Sequence, residues 1–132
     1  MNLRTGRRLF LPREHQRAAD SQAFLEVVHS AYRGWHVALL LDGDPSHTAQ
    51  GSVRLAGRLG IDLLWLPTRC PELNPMDTPR GQGKDVISAD KQYRTIDEQV
   101  DRFLRYLGSR SAWEALHTAG VYSKTFWLRS VL

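Results

Sequence analysis

His36-Val37-Ala38-Leu39-Leu40-Leu41-Asp42 is an apolar run closed by a carboxylate, and Ile61-Asp62-Leu63-Leu64-Trp65-Leu66 is a second apolar run further along. The first lacks the strict alternation of a half-exposed strand, so it is expected to be a strand covered on both faces. Between the two runs, Thr48 to Leu59 places Val53, Leu55, Ala56 and Leu59 at helical spacing, and Gly60 supplies the stop. Strand, helix and strand in succession imply a right-handed parallel crossover. Ligands and catalytic groups of such units collect beyond the carboxyl ends of the strands. Asp42 lies at one such end, and the chain from Pro67 to Pro75 leaves the neighbouring one.

That loop delivers a second acid. In Leu66-Pro67-Thr68-Arg69-Cys70-Pro71-Glu72-Leu73-Asn74-Pro75-Met76-Asp77, Asn74 reads as a helix cap and Pro75 as the first helical residue. This puts Asp77 in the first turn, where the helix dipole favours an ionised carboxylate. Between Asp42 and Asp77 lie 34 residues, enough for one helix, one strand and one loop. Two carboxylates brought to one sheet edge can share divalent metal, an arrangement suited to phosphodiester chemistry.

The two segments, Asp42-Gly43-Asp44-Pro45-Ser46-His47 and Leu66 to Asp77, resemble in order and spacing the catalytic domain of mariner-type and bacterial insertion-sequence DDE/D transposases. The resemblance runs from about Asn2 to Leu132. It implies a ribonuclease H-like α/β fold, with Asp42 and Asp77 as catalytic metal ligands for Mg2+ or Mn2+. It also implies DNA as the partner, both element ends and target, with His47 and Lys84 near the phosphate backbone. The family's first catalytic Asp, on an earlier strand, has no counterpart in this sequence. The chain is therefore expected to be an incomplete ribonuclease H-like domain over residues 1–132, the C-terminal part of the catalytic domain, inactive by itself. Asp20 is the one candidate for the missing acid, but it precedes a helix on polar chain.

Some positions depart from the family pattern. Gly43 stands where an Asn usually follows the Asp, and Arg80 stands where a Trp usually lies, while Lys84 keeps the basic position. With Asn74 as cap, Pro79 becomes the fifth helical residue and costs about 3 kcal/mol. Gly81 and Gly83 add about 1 kcal/mol each. The stretch from Thr78 to Lys84 is accordingly expected to be frayed or non-helical, as drift in the element would leave it.

The rest of the chain reads as follows. Asn2 to Leu11 suggests two short strands around a turn at Thr5-Gly6, closed by Pro12. Ser21 offers an N-cap to a helix carrying Phe24, Leu25, Val28 and Tyr32, stopped at Gly34. A helix from Asp77 to about Ile87 precedes a loop from Ser88 to Arg94. Thr95 and Glu98 form a capping box for a helix with Ile96, Val100, Phe103, Leu104 and Leu107 on one face. A last short helix lies within Ala112 to Leu132.

Composition is that of a globular protein, 42% hydrophobic and 24% charged over 132 residues. No apolar run reaches the roughly 18 residues of a membrane span, and no signal peptide opens the chain, so a cytoplasmic location is expected. A single cysteine, Cys70, excludes an internal disulfide framework. The charge of +4 favours a polyanionic partner. Arg4, Arg7, Arg8, Arg13 and Arg17 form the one dense basic group and read as a solvated surface.

Two other classes fit parts of the sequence. One is a non-catalytic DNA-binding or regulatory subunit that self-associates or pairs with an intact transposase. The other is an unrelated phosphatase-like α/β enzyme using Asp42 and Asp44, although Asp44, followed by Pro45 with a helix beginning nearby, fits a turn or N-cap role better.

Overall fold

The computed structural model describes residues 1–13, 17–88 and 94–132. They form two compact units, one spanning Leu11–Asn74 and the other combining Met1–Phe10 with Pro75–Leu132.

The Leu11–Asn74 unit is a small α/β assembly. Its elements are α1 (Ala18–Ala31), β1 (Val37–Leu41), α2 (Pro45–Thr48), α3 (Gln50–Leu59) and β2 (Ile61–Trp65). The strands pair in parallel, with Val37 opposite Ile61 and Leu41 opposite Trp65. The Leu66 N–H extends the pairing by donating to the Leu41 carbonyl at 2.7 Å. Helix α3 packs on β2 and on α1, and Leu25, Val28, Ala56, Ile61 and Leu66 are buried. Asp42 and the loop that begins at Leu66 consequently leave the same edge of the sheet.

Three expectations for this unit are corrected. Strand β1 is not covered on both faces: Ala38 is exposed and its other residues are half-buried. Two paired strands with helices packed against them have too little surrounding chain to enclose both faces. Helix α1 begins at Ala18, with Arg17 rather than Ser21 at its cap, and the Asp20 carboxylate accepts from the Arg17 N–H at 3.1 Å. The single helix from Thr48 to Leu59 is instead α2 and α3, separated at Ala49, whose ψ of 136° breaks the helical path. The break rotates the inward face, so Ser52 is buried while Val53 is exposed. Gly60, at φ 69°, ends α3 as expected.

The other unit is helical, with α4 (Asp77–Ser88), α5 (Ile96–Ser109) and α6 (Ala112–Thr118), and α4 packs on both α5 and α6. Thr95 caps α5 by accepting from the Glu98 N–H at 3.1 Å, and the Glu98 carboxylate reaches back to the Arg94 N–H at 3.2 Å. Only the second half of the apolar face of α5 is covered, with Leu107 buried and Ile96 exposed. The loop expected from Ser88 to Arg94 falls largely outside the described residues.

The expected strands between Asn2 and Leu11 do not form. The turn does: Asn2 and Gly6 each engage backbone across it, Asn2 N–H to Arg7 O and Gly6 N–H to Asn2 O, both at 2.8 Å. Gly6 has φ +72°, and a Cβ there would stand 2.7 Å from the carbonyl oxygen of Ala112. This turn therefore lies flat against the start of α6. Arg8 is not merely solvated surface. Its guanidinium donates to the Leu107 carbonyl at 2.8 Å and also to the Arg110 carbonyl, satisfying acceptors that the end of α5 leaves open.

The frayed segment predicted for Thr78 to Lys84 is also overturned, since α4 runs continuously through it. The helix starts at Asp77 rather than Pro75, because Pro71–Leu73 forms a 3-10 turn that ends at Asn74. Asn74 is therefore not the cap of α4, and Pro79 becomes its third residue. The first helical bond runs from the Arg80 N–H to the Met76 carbonyl at 3.1 Å. A proline one position earlier withholds an N–H that would have had no intrahelical partner. Gly83 is buried where α4 meets α5, and a Cβ on it would stand 2.8 Å from Cε2 of Phe103. That glycine therefore permits close helix packing and is not only a cost to the helix.

Candidate metal site at the carboxyl end of the parallel strands

Asp42 is the first residue beyond β1. Its side chain is 64% exposed, as a carboxylate held out beyond a strand end should be. Two residues later Asp44 caps α2, and Pro45 occupies the first helical position, as the sequence suggests. The Asp44 Oδ1 atom accepts both from the Ser46 N–H at 2.8 Å and from the Ser46 hydroxyl at 2.6 Å. The Ser46 hydroxyl, then its N–H, hold the Asp44 carboxyl below its ordinary value. Asp44 is thus committed to a cap, which weakens any reading that makes it a second reacting acid beside Asp42.

Helix α2 is one turn long, and that turn carries His47 back toward the strand end. Its Nε2 lies 3.6 Å from Asp42 Oδ1, and its side chain is 24% exposed. The other ring nitrogen, Nδ1, is 2.8 Å from the Ser21 hydroxyl of α1. Ser21 in turn lies 3.4 Å from the Ser46 hydroxyl, and the buried Ser52 hydroxyl donates to the Ser46 carbonyl at 3.0 Å. Three elements thereby hold one imidazole edge-on to Asp42. The sequence offers Ser21 only as a helix cap. Its role here depends on α1 crossing α2, and no local sequence signal reports that crossing.

Asp77 and Lys84 belong to the other unit. Asp77 is exposed in the first turn of α4, and Arg80 and Lys84 are exposed further along that helix. Offsets of three and seven residues put both cations on the helical face that carries Asp77. Arg80, standing where the family pattern has Trp, adds a second cation to that face. Asp20, considered as a third acid, is occupied in α1 by the Arg17 N–H and by Arg13 at 3.7 Å. Among the described residues, no group of three or more His, Cys, Asp or Glu side chains is placed to hold a metal ion.

Residues 1–99 match the family model of the DDE superfamily endonucleases. The chain belongs to that family. The match takes in Asp42, His47, Asp77 and Lys84, and ends within α5, so the rest of α5 and all of α6 lie beyond it. A search of curated proteins and one of solved structures gave no match. For a DDE superfamily endonuclease, a transposase-like nuclease function on DNA is the general expectation, and divalent metal is the usual cofactor. The mixed helix and strand architecture with its small parallel sheet is consistent with an α/β fold. No helix among the described residues is long and apolar enough to cross a membrane.

Proposed function

We propose that this chain carries part of the catalytic apparatus of a mariner-type or insertion-sequence DDE/D transposase with a ribonuclease H-like fold. Asp42 and Asp77 are its metal-binding acids, and Lys84 and His47 contact DNA or the groups around it. The observation that supports this best is the family match, which contains both acid-bearing segments in order. The exposed carboxylate of Asp42 is the oxygen donor that Mg2+ and Mn2+ take, and the neighbouring imidazole nitrogen favours Mn2+ of the two.

When bound, divalent metal supplies charge neutralisation at the phosphate and acidifies the attacking hydroxyl or water. The remaining work falls to the chain itself. Asp77 stands exposed in the first turn of α4, where the positive end of the helix dipole faces its carboxylate. Arg80 and Lys84, on the same helical face, offer positive charge to a phosphate backbone that approaches Asp77. With two of the family's three acids, the chain binds DNA and metal but does not cut or join DNA by itself.

Mn2+ titration by calorimetry, with and without duplex DNA carrying element ends, tests this reading. Asp42→Asn and Asp77→Ala are each expected to weaken Mn2+ binding, and Lys84→Ala to weaken DNA binding and lessen its salt dependence. Equal Mn2+ binding by all variants would remove the metal assignment. Mn2+-dependent nicking lost on Asp77→Ala would show that a third ligand completes the site.

A further inference from the structure

The imidazole of His47 ends a chain of polar contacts that starts at the Asp44 carboxylate, and that fixed acceptor favours one direction along it. The Asp44 carboxylate can only accept, so the single hydroxyl proton of Ser46 is committed to it at 2.6 Å. Ser46 Oγ is then left as an acceptor, and the hydroxyl donating to it at 3.4 Å is that of Ser21. With its own proton spent, Ser21 Oγ accepts from His47, whose Nδ1 is 2.8 Å away. The order is His47 Nδ1–H to Ser21, Ser21 to Ser46, and Ser46 to Asp44. It leaves Nε2 as the nitrogen without a proton in the neutral ring, facing Asp42 Oδ1 at 3.6 Å.

A lone pair and a carboxylate oxygen facing each other repel unless a cation or a donor such as water or a ring proton lies between them, and both atoms are then available to a metal ion. Their separation is too long for a direct hydrogen bond. Donors about 2.1 Å from a shared octahedral ion stand roughly 3.0 Å apart at right angles and roughly 4.2 Å apart when opposite, so a shift of about half an ångström in either side chain seats both on one ion. Ligating histidines regularly donate their second N–H to a partner that fixes tautomer and orientation.

We infer that Ser21 is a positioning residue that, through His47, prepares a two-donor seat for a divalent cation, formed by Nε2 of His47 and the carboxylate of Asp42. The inference rests on the metal assignment of Asp42 made above and adds His47 as a ligand and Ser21 as its support. The remaining coordination positions fall to water and to DNA phosphate oxygens, as is usual for Mg2+.

Long-range proton–nitrogen NMR on the whole chain labelled at histidine, near pH 8 so that imidazoles are neutral, reads the tautomer directly. Without metal, His47 is expected to carry its proton on Nδ1. Mg2+ should shift Nε2 while leaving Nδ1 protonated, and Mn2+ should broaden Nε2. Ser21→Ala should lower Mn2+ affinity by about tenfold with unchanged circular dichroism, and Ser21→Thr should restore it. His47→Gln should weaken Mn2+ binding at least as much. A wild-type His47 protonated on Nε2, or equal Mn2+ affinity in the wild type and Ser21→Ala, would overturn the inference. If Asp42→Asn abolishes Mn2+ binding while Ser21→Ala and His47→Gln do not affect it, only this inference fails. If Asp42→Asn has no effect, the metal assignment beneath it fails too.

Discussion

Gly83 of α4 and Phe103 of α5 stand so close that a single added methyl group would meet the phenyl ring, with 2.8 Å from the would-be Cβ to Cε2. Leu107 Cδ2 lies 3.4 Å from the same point. Gly81, two residues earlier in the same helix, faces open space. The two glycines therefore respond oppositely to alanine. Gly81→Ala should raise the thermal stability of the chain by up to about 1 kcal/mol, the usual gain in a helix interior. Gly83→Ala should lower it or leave no gain, because the ring must move. Equal stabilisation by both in circular-dichroism melts would show that the helices are less tightly packed than described.

Pro79 is the third residue of α4, within the turn whose N–H groups lack intrahelical acceptors. Pro79→Ala should change helix stability by well under the roughly 3 kcal/mol expected of a proline in a helix interior. Urea unfolding of the variant beside the wild type measures the difference. A gain near that figure would place the start of the helix earlier than Asp77.

Asp44 gives the stability of α2 a defined dependence on pH. Its folded-state value lies below its ordinary one because Ser46 donates to the carboxylate from both hydroxyl and backbone. A depressed carboxyl contributes stability that is fully present above its unfolded value, about 3.9, and is lost as pH falls through the folded value. The stability difference between wild type and Asp44→Asn should thus be constant from neutral pH down to about 5 and shrink below about 4. Denaturation at a series of pH values reads this directly, and a difference that does not change with acid would contradict the cap.

Gly6 combines a left-handed backbone, φ +72°, with contact against the backbone of Ala112. Gly6→Ala meets both penalties, and the conformational one alone is about 1 to 2 kcal/mol. The turn should loosen from α6, with hydrogen exchange at the backbone amide of position 6, which donates to the Asn2 carbonyl, speeding up. Unchanged exchange there would show that the turn does not depend on that contact.

Much of the architecture was legible because its signals are local. The apolar runs His36 to Leu41 and Ile61 to Leu66, the Gly60 stop, and the Thr95 and Asp44 caps each depend on a few adjacent residues, and each appears within a residue of where the sequence puts it. The errors cluster where a residue's role is set by a distant neighbour or by a small shift in where an element begins. Moving the start of α4 from Pro75 to Asp77 turns Pro79 from a helix breaker into a first-turn residue. The break at Ala49 moves Val53 outward and Ser52 inward. Asn2 to Leu11 has the residue pattern of paired strands, yet it makes a turn against α6 with Arg8 spent on the end of α5.

For the site, the sequence by itself determined which groups are present and which strand end carries Asp42, since a parallel crossover sends its loops to one edge. It also favoured a turn or cap role for Asp44, because Pro45 follows it and a helix begins nearby. Only the tertiary structure decided that His47 turns its Nε2 to Asp42, because the partner holding the ring's other nitrogen, Ser21, comes from a helix 26 residues away in sequence. Hydrogen-bond direction is a property of the closed chain of donors and acceptors, and that chain exists only once α1 and α2 are packed together.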